Sequence, residues 1–207
     1  SFVASLLILF SLLGALAYGA EASRNVVRFS CAEGEFDVEL YQEETPNTVA
    51  NFLKYVDQGK YNNSIIHRSV PGFVIQGGGY SLNGTNLLKI PTDPHVINEP
   101  GISNLRGTLA MAKLGDNPNS ATSEWFVNLG DNSANLDLQN GGFTVFGHIV
   151  GNGMRIVDQM ASYAIYNATA QLGSPFGELP LKAPSLTKDS LVLFSKARAL
   201  REGTVVQ

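Results

Sequence analysis

Residues 66–79 read IHRSVPGFVIQGGG, and no other stretch limits the fold of this chain as much. Pro71-Gly72 marks a turn between two short extended pieces. Side chains in an extended piece alternate faces. Val74 and Gln76 therefore share one face and Ile75 takes the other, with Phe73 beside Ile75 unless the turn resets the count. Arg68 precedes the turn, so parity does not place it. Gly77-Gly78-Gly79 permits positive φ or close approach of backbones. A guanidinium from Arg68, an amide from Gln76 and an apolar wall from Phe73 suit a ligand that is partly apolar and partly carbonyl. A peptide containing proline is such a ligand.

The flanking sequence predicts the surroundings of this run. NVVRFSCAEGEFDVELY reads as two short strands around a Glu33-Gly34 turn. The second alternates, with Phe36, Val38 and Leu40 on one face and Glu35, Asp37 and Glu39 on the other. TPNTVANFLKYVDQGKY reads as a helix. Thr45 is placed to cap it and Pro46 suits its first position. Val49, Phe52, Leu53 and Val56 form one apolar stripe, and Gly59 supplies the stop. From 65 to 194 the pattern is mostly short strands between Gly, Asn, Asp and Pro clusters. MRIVDQMA at 154–161 predicts a second helix, residues 161–184 read as loop, and DSLVLFSKAR predicts a final strand. Many short strands with few helices give a mainly-β class, either a closed antiparallel barrel or a sandwich.

Composition narrows the function. The chain has 207 residues, 44% hydrophobic and 15% charged, which fits one globular domain and excludes a disordered class. A net charge of −4 gives no handle for nucleic acid or anionic membrane, and no nucleic-acid partner is expected. Residues 1–20 carry no charge and are long enough to span a bilayer. They lead into small residues that fit an A-x-A cleavage pattern at 15–17 and 20–22. Residues 1–22 are therefore expected to be a signal peptide or membrane anchor, and 23–207 the working domain. Either reading exports the domain, to a bacterial periplasm or secretory pathway. Membrane contact follows only if the segment stays uncleaved. Cys31 is the one cysteine, so no intrachain disulfide forms. No His/Cys/Asp cluster has metal spacing, and the glycine run lacks the Lys-Ser/Thr of a phosphate loop. No metal and no cofactor are expected.

The run at 66–79 closely resembles the signature of the cyclophilins, the peptidyl-prolyl cis-trans isomerases. Three further segments resemble the family in the same order: RGTLAMAK at 106–113, NSATSEWFVNLGDN at 119–132, and NLDLQNGGFTVFGHIVGNGMRIVDQM at 135–160. The likeness spans roughly residues 25–198. The GGFTVFG wording and the insertion at 161–184 are more like bacterial members. The resemblance decides between barrel and sandwich: it implies a closed eight-stranded antiparallel β-barrel capped by two α-helices.

It also implies a chemistry and a set of residues. An X-Pro bond rotates over a barrier of roughly 18–20 kcal/mol because conjugation resists twisting. No bond is broken, so neither a nucleophile nor a proton shuttle is needed. The site must hold the twisted amide better than either planar form. The resemblance gives Arg68 the donor role at the proline nitrogen and Gln76 the orientation of the substrate backbone. It places the proline ring among Phe73, Val74, Phe126 and Leu136, with Phe143 at the edge. Ala112 and the Lys113 backbone would anchor the residue before proline. Partners would be proline-containing peptides and unfolded exported proteins. Four positions depart from the family pattern: Val74, Glu124, Asn135 and Phe143. Asn135 replaces an aromatic, which weakens the expected binding of cyclosporin. Glu124 replaces an amide at the groove and has two expected placements: reaching Arg68, holding and partly neutralising it so that Glu124→Gln would raise turnover, or pointing to solvent at the groove rim, where it would only repel acidic substrates. The alternative function is a non-catalytic module, a chaperone or scaffold that binds proline peptides without turnover.

Overall fold

The computed structural model describes residues 25–200. The expected signal peptide or anchor at 1–22 lies outside the described residues. The chain begins with the hairpin β1 (Val26–Cys31) and β2 (Gly34–Leu40), then α1 (Pro46–Asp57). Five short strands follow: β3 (Ser64–Ile65), β4 (Arg68–Val70), β5 (Val74–Gly77), β6 (Tyr80–Asn83) and β7 (Asn86–Lys89). After β8 (Thr108–Met111) and β9 (Trp125–Asn128) come α2 (Ser133–Leu136), β10 (Val145–Ile149) and α3 (Gly153–Ala161). The chain continues through β11 (Ala164–Tyr166), α4 (Thr169–Leu172), β12 (Leu179–Leu181) and β13 (Leu193–Ala199).

Eleven strands join one sheet in the order β4-β5-β9-β8-β10-β2-β1-β13-β3-β6-β7. β9 and β1 lie four ladder steps apart, which in a flat sheet would separate them by roughly 19 Å. Yet the rings of Phe29 on β1 and Trp125 on β9 have centroids 5.2 Å apart. The sheet is therefore curled around an aromatic core. Phe29, Phe36, Phe52, Trp125, Phe146 and Phe194 are all fully buried there. Helix α1 supplies Val49, Phe52, Tyr55 and Val56 to this core, and α3 supplies Ile156, Val157 and Met160.

The expectation of a closed eight-stranded barrel is corrected: the class is mainly β, but the ladder is open, with β4 and β7 at its edges. The break lies at Ile66-His67. On one side β3 pairs with β13, and on the other β4 pairs with β5. Ile66 N–H donates to Val192 O at 3.0 Å and His67 N–H to Gln76 O at 3.1 Å, so one continuous segment serves two neighbours. The hairpin β6–β7 then extends the sheet past the expected count.

Two local expectations are also corrected. Residues 161–184 are not simply loop, because β11 pairs with β12 within this segment. Phe176, Leu179 and Leu181 form an apolar cluster with Ile65 and Leu191, which is why the segment stays packed. The other concerns the start of α1. Thr45 makes no side-chain cap, and its hydroxyl donates backwards to Tyr41 O at 2.9 Å. The cap comes from far along the chain. Glu99 accepts from Asn47 N at 3.2 Å and Thr48 N at 2.8 Å, and from the Thr48 hydroxyl at 2.7 Å.

Burial pushes the Glu99 carboxyl up, but the bonds from Thr48 and Asn47 outweigh it and hold the group below the usual carboxylate range. A carboxyl depressed in the folded state stabilises above its unfolded value, about 4.3. That contribution is lost as pH falls through the folded value. Glu99→Ala should cost about 1 kcal/mol at neutral pH, the usual worth of a cap. The variant and parent should converge in stability as pH drops below about 4. Chemical denaturation at several pH values checks both parts.

Candidate active site

Gln76 on β5 is the hub of the site. Its ladder partners are Arg68 on β4 and Phe126 on β9, and Phe126 in turn faces Ala110 on β8 and then Val145 on β10. Residues paired across antiparallel strands point to one face, so Arg68, Gln76, Phe126, Ala110 and Val145 form one row. The next row, Ser69, Ile75, Val127 and Leu109, faces the aromatic core. The polar groups and their apolar wall thus lie on the outside of the curl, backed by a packed interior.

A cavity of about 230 Å³ opens over this outer row, lined by Arg68, Phe73, Val74, Gln76 and Phe126. Ala112, Lys113, Leu136 and Phe143 complete its walls, together with Gln139, which the sequence did not single out. Phe73 faces the cavity because the turn at Pro71-Gly72 resets the alternation, with Phe73 N–H bonding Val70 O at 3.0 Å. Phe126 and Phe143 meet edge to face at 5.7 Å. Lys113 holds that edge. Its ammonium sits 4.7 Å over the Phe143 ring and donates to Asn140 O at 2.8 Å and Gly142 O at 2.6 Å. Burial lowers its pKa. Asn135 is exposed on α2 beside buried Leu136.

An asparagine network behind the wall was not foreseen. Asn132 Nδ2 donates to Phe73 O at 2.9 Å and to Asn128 Oδ1 at 2.7 Å. Asn128 reaches Thr108 and Asn104, and Asn104 donates to Asp137 at 2.9 Å and to Phe143 O at 3.3 Å. These bonds tie Phe73, α2 and Phe143 into one frame. The only sequence signal was the density of Asn in 117–140.

The expected pairing of Glu124 with Arg68 is corrected. Glu124 accepts from Gln76 Nε2 at 2.8 Å, and His67 Nε2 lies 3.4 Å from the same oxygen. A carboxylate only accepts, so the amide nitrogen of Gln76 must face it. Burial pushes the Glu124 carboxyl up, yet His67 and Gln76 prevail and hold it below its usual range. Glu124 lies in an adjoining cavity of about 340 Å³, which shares Gln76, Ala112 and Lys113 with the first. Arg68 instead donates through Nε to Glu178 Oε2 at 2.7 Å. Glu178 belongs to the segment 161–184.

The chain that builds this site is similar to known proteins along most of its length. Residues 26–174 match the family model described as Cyclophilin type peptidyl-prolyl cis-trans isomerase/CLD. The chain belongs to the cyclophilin-type peptidyl-prolyl isomerases. Glu178 falls just past the matched residues. The chain is 40% identical over 154 residues to the peptidyl-prolyl cis-trans isomerase of Acinetobacter baylyi, covering 72% of this chain and 79% of that one. It is 37% identical over 170 residues to peptidyl-prolyl cis-trans isomerase A of Dickeya dadantii, covering 80% and 83%. A crystal structure of a Cryptosporidium parvum cyclophilin, determined in the presence of the dipeptide Ala-Pro, superposes with a TM-score of 0.62. Its identity is 21%, with 84% of this chain and 98% of that chain covered, and it supports the fold. Among the described residues of this cyclophilin, no group of three or more His, Cys, Asp or Glu could hold a metal, and no helix is long and apolar enough to cross a membrane.

Proposed function

We propose that the outer groove catalyses rotation of X-Pro bonds in exported polypeptides, with Arg68 as the donor to the twisted amide. The observation that carries this reading is one cavity that brings the guanidinium of Arg68 and the amide of Gln76 beside Phe126, Phe73 and Leu136. The apolar walls take the proline ring. As the X-Pro amide twists, its nitrogen regains a lone pair, and a donor there favours the twisted form. Arginine stays charged and presents its donors in a rigid fork. Gln76, turned by Glu124, directs its carbonyl oxygen away from the carboxylate to meet a substrate N–H. Lowering an uncatalysed time of tens of seconds to milliseconds takes roughly 5–6 kcal/mol. That amount is within reach of a few oriented donors acting in a partly dry groove.

A protease-coupled assay on an X-Pro peptide tests the catalytic half. Acceleration of the slow phase is expected, and a well-folded chain that binds the peptide without acceleration would favour the non-catalytic module. The Ala-Pro dipeptide named for the Cryptosporidium protein is a fitting minimal ligand. Export rests on the uncharged segment at 1–20. N-terminal sequencing of the protein from its host should find a start between Glu21 and Ser23. A membrane-bound product keeping residues 6–13 would instead indicate an anchor.

A further inference from the structure

We infer that Glu178 is a positioning residue for Arg68, contributed by the segment 161–184; the inference rests on the catalytic reading of the groove. Arg68 and Glu178 are 110 positions apart, and their side chains are 35% and 46% exposed. A pair so exposed is by itself worth little to stability. Its construction is nonetheless specific. Glu178 O accepts from Ser69 N–H at 2.8 Å, which ties the segment's backbone to the residue after Arg68. The residues around it are anchors: Phe176 packs 4.7 Å from Tyr80 and 6.4 Å from His67, and Leu179 is fully buried. A carboxylate held on both sides is presented to one end of the guanidinium.

The end it takes decides the sign of the effect. Glu178 accepts from Nε. Among the described residues, no hydrogen bond engages either Nη group of Arg68. The fork therefore remains available to the substrate, while its axis is fixed by the bond at Nε. A carboxylate that competed with substrate would occupy the Nη groups. Arginine has large rotamer freedom, and its pre-organisation reduces the cost of each hydrogen bond formed. Glu178 thus acts on the transition state through Arg68 and touches no reacting atom.

A double-mutant cycle on isomerase activity tests this. Glu178→Ala should lower kcat about fivefold with KM and thermal midpoint nearly unchanged. Glu178→Gln keeps an acceptor for Nε and should recover part of the loss. In the Arg68→Ala background, Glu178→Ala should have no further effect, because its partner is gone. Undiminished kcat in Glu178→Ala, or an equal loss in the two backgrounds, would overturn the inference. A loss that tracks a lowered thermal midpoint would do the same. Failure of the catalytic reading looks different: Arg68→Ala would itself leave the rate unchanged.

Discussion

Arg68→Ala should lower turnover on an X-Pro peptide at least about 10-fold, or roughly 1.4 kcal/mol of transition-state stabilisation, with the fold intact. The fold is expected to survive because Arg68 lies on the edge strand β4 and, among the described residues, its side chain hydrogen-bonds only Glu178, in a pair that is partly exposed. The loss should fall on kcat rather than KM. The apolar walls of Phe73, Phe126 and Leu136 bind the proline ring in every state, whereas the donor matters most when the amide is twisted. Lys at the same position should restore little. Its ammonium is a point charge, and it has no Nε to give to Glu178 while a fork faces the groove. Unchanged turnover in a folded Arg68→Ala variant would reject the donor mechanism.

Local pattern reached only β5 in the groove; the other lining residues except Gln139 were expected from the family resemblance. Val74 and Gln76 share a face because β5 alternates, and the ladder from Arg68 through Gln76 to Phe126 follows once strands are paired. What the sequence could not deliver were contacts between distant segments. Glu99 caps α1 from 51 positions away. Glu178 reaches Arg68 across 110. Neither leaves a local signature, since a carboxylate in a loop reads the same whatever it meets. Glu124 shows the converse. Its motif position put it near the groove, but which polar side chain it met depended on the ladder. Glu124 directly precedes β9, two residues before the Phe126 that pairs with Gln76, while Arg68 lies on β4, one strand further out. The closed barrel failed for a similar reason, because the split of 64–70 between two neighbours is a property of the assembled sheet.

Gly78→Ala should destabilise the protein by about 3 kcal/mol or more, combining a backbone cost of roughly 1–2 kcal/mol with an overlap that the surroundings cannot relieve. Gly78 has φ +77°, a region that L side chains rarely adopt. A Cβ there would overlap the Ser123 carbonyl oxygen and approach Trp125 Cδ1 and Nε1 at 2.8 and 2.9 Å. The carbonyl is backbone, and Trp125 is fully buried in the aromatic core, so neither can retreat cheaply. Gly72 provides the control. Its φ is +72°, but nothing lies within 4 Å of its added Cβ. Gly72→Ala should therefore show the backbone cost alone, about 1 kcal/mol. The difference between the two variants isolates the overlap. For a domain of this size each kcal/mol moves the thermal midpoint by about 2–4 °C, so Gly78→Ala should melt at least about 6 °C lower. Equal melting of the two variants would mean that φ, and not close approach, explains the middle glycine of the run. The same crowding links stability to function. Ser123 directly precedes Glu124, so a displaced Ser123 carbonyl shifts the carboxylate that turns Gln76. Gly78→Ala should accordingly lose isomerase activity below its melting range, while Gly72→Ala keeps it.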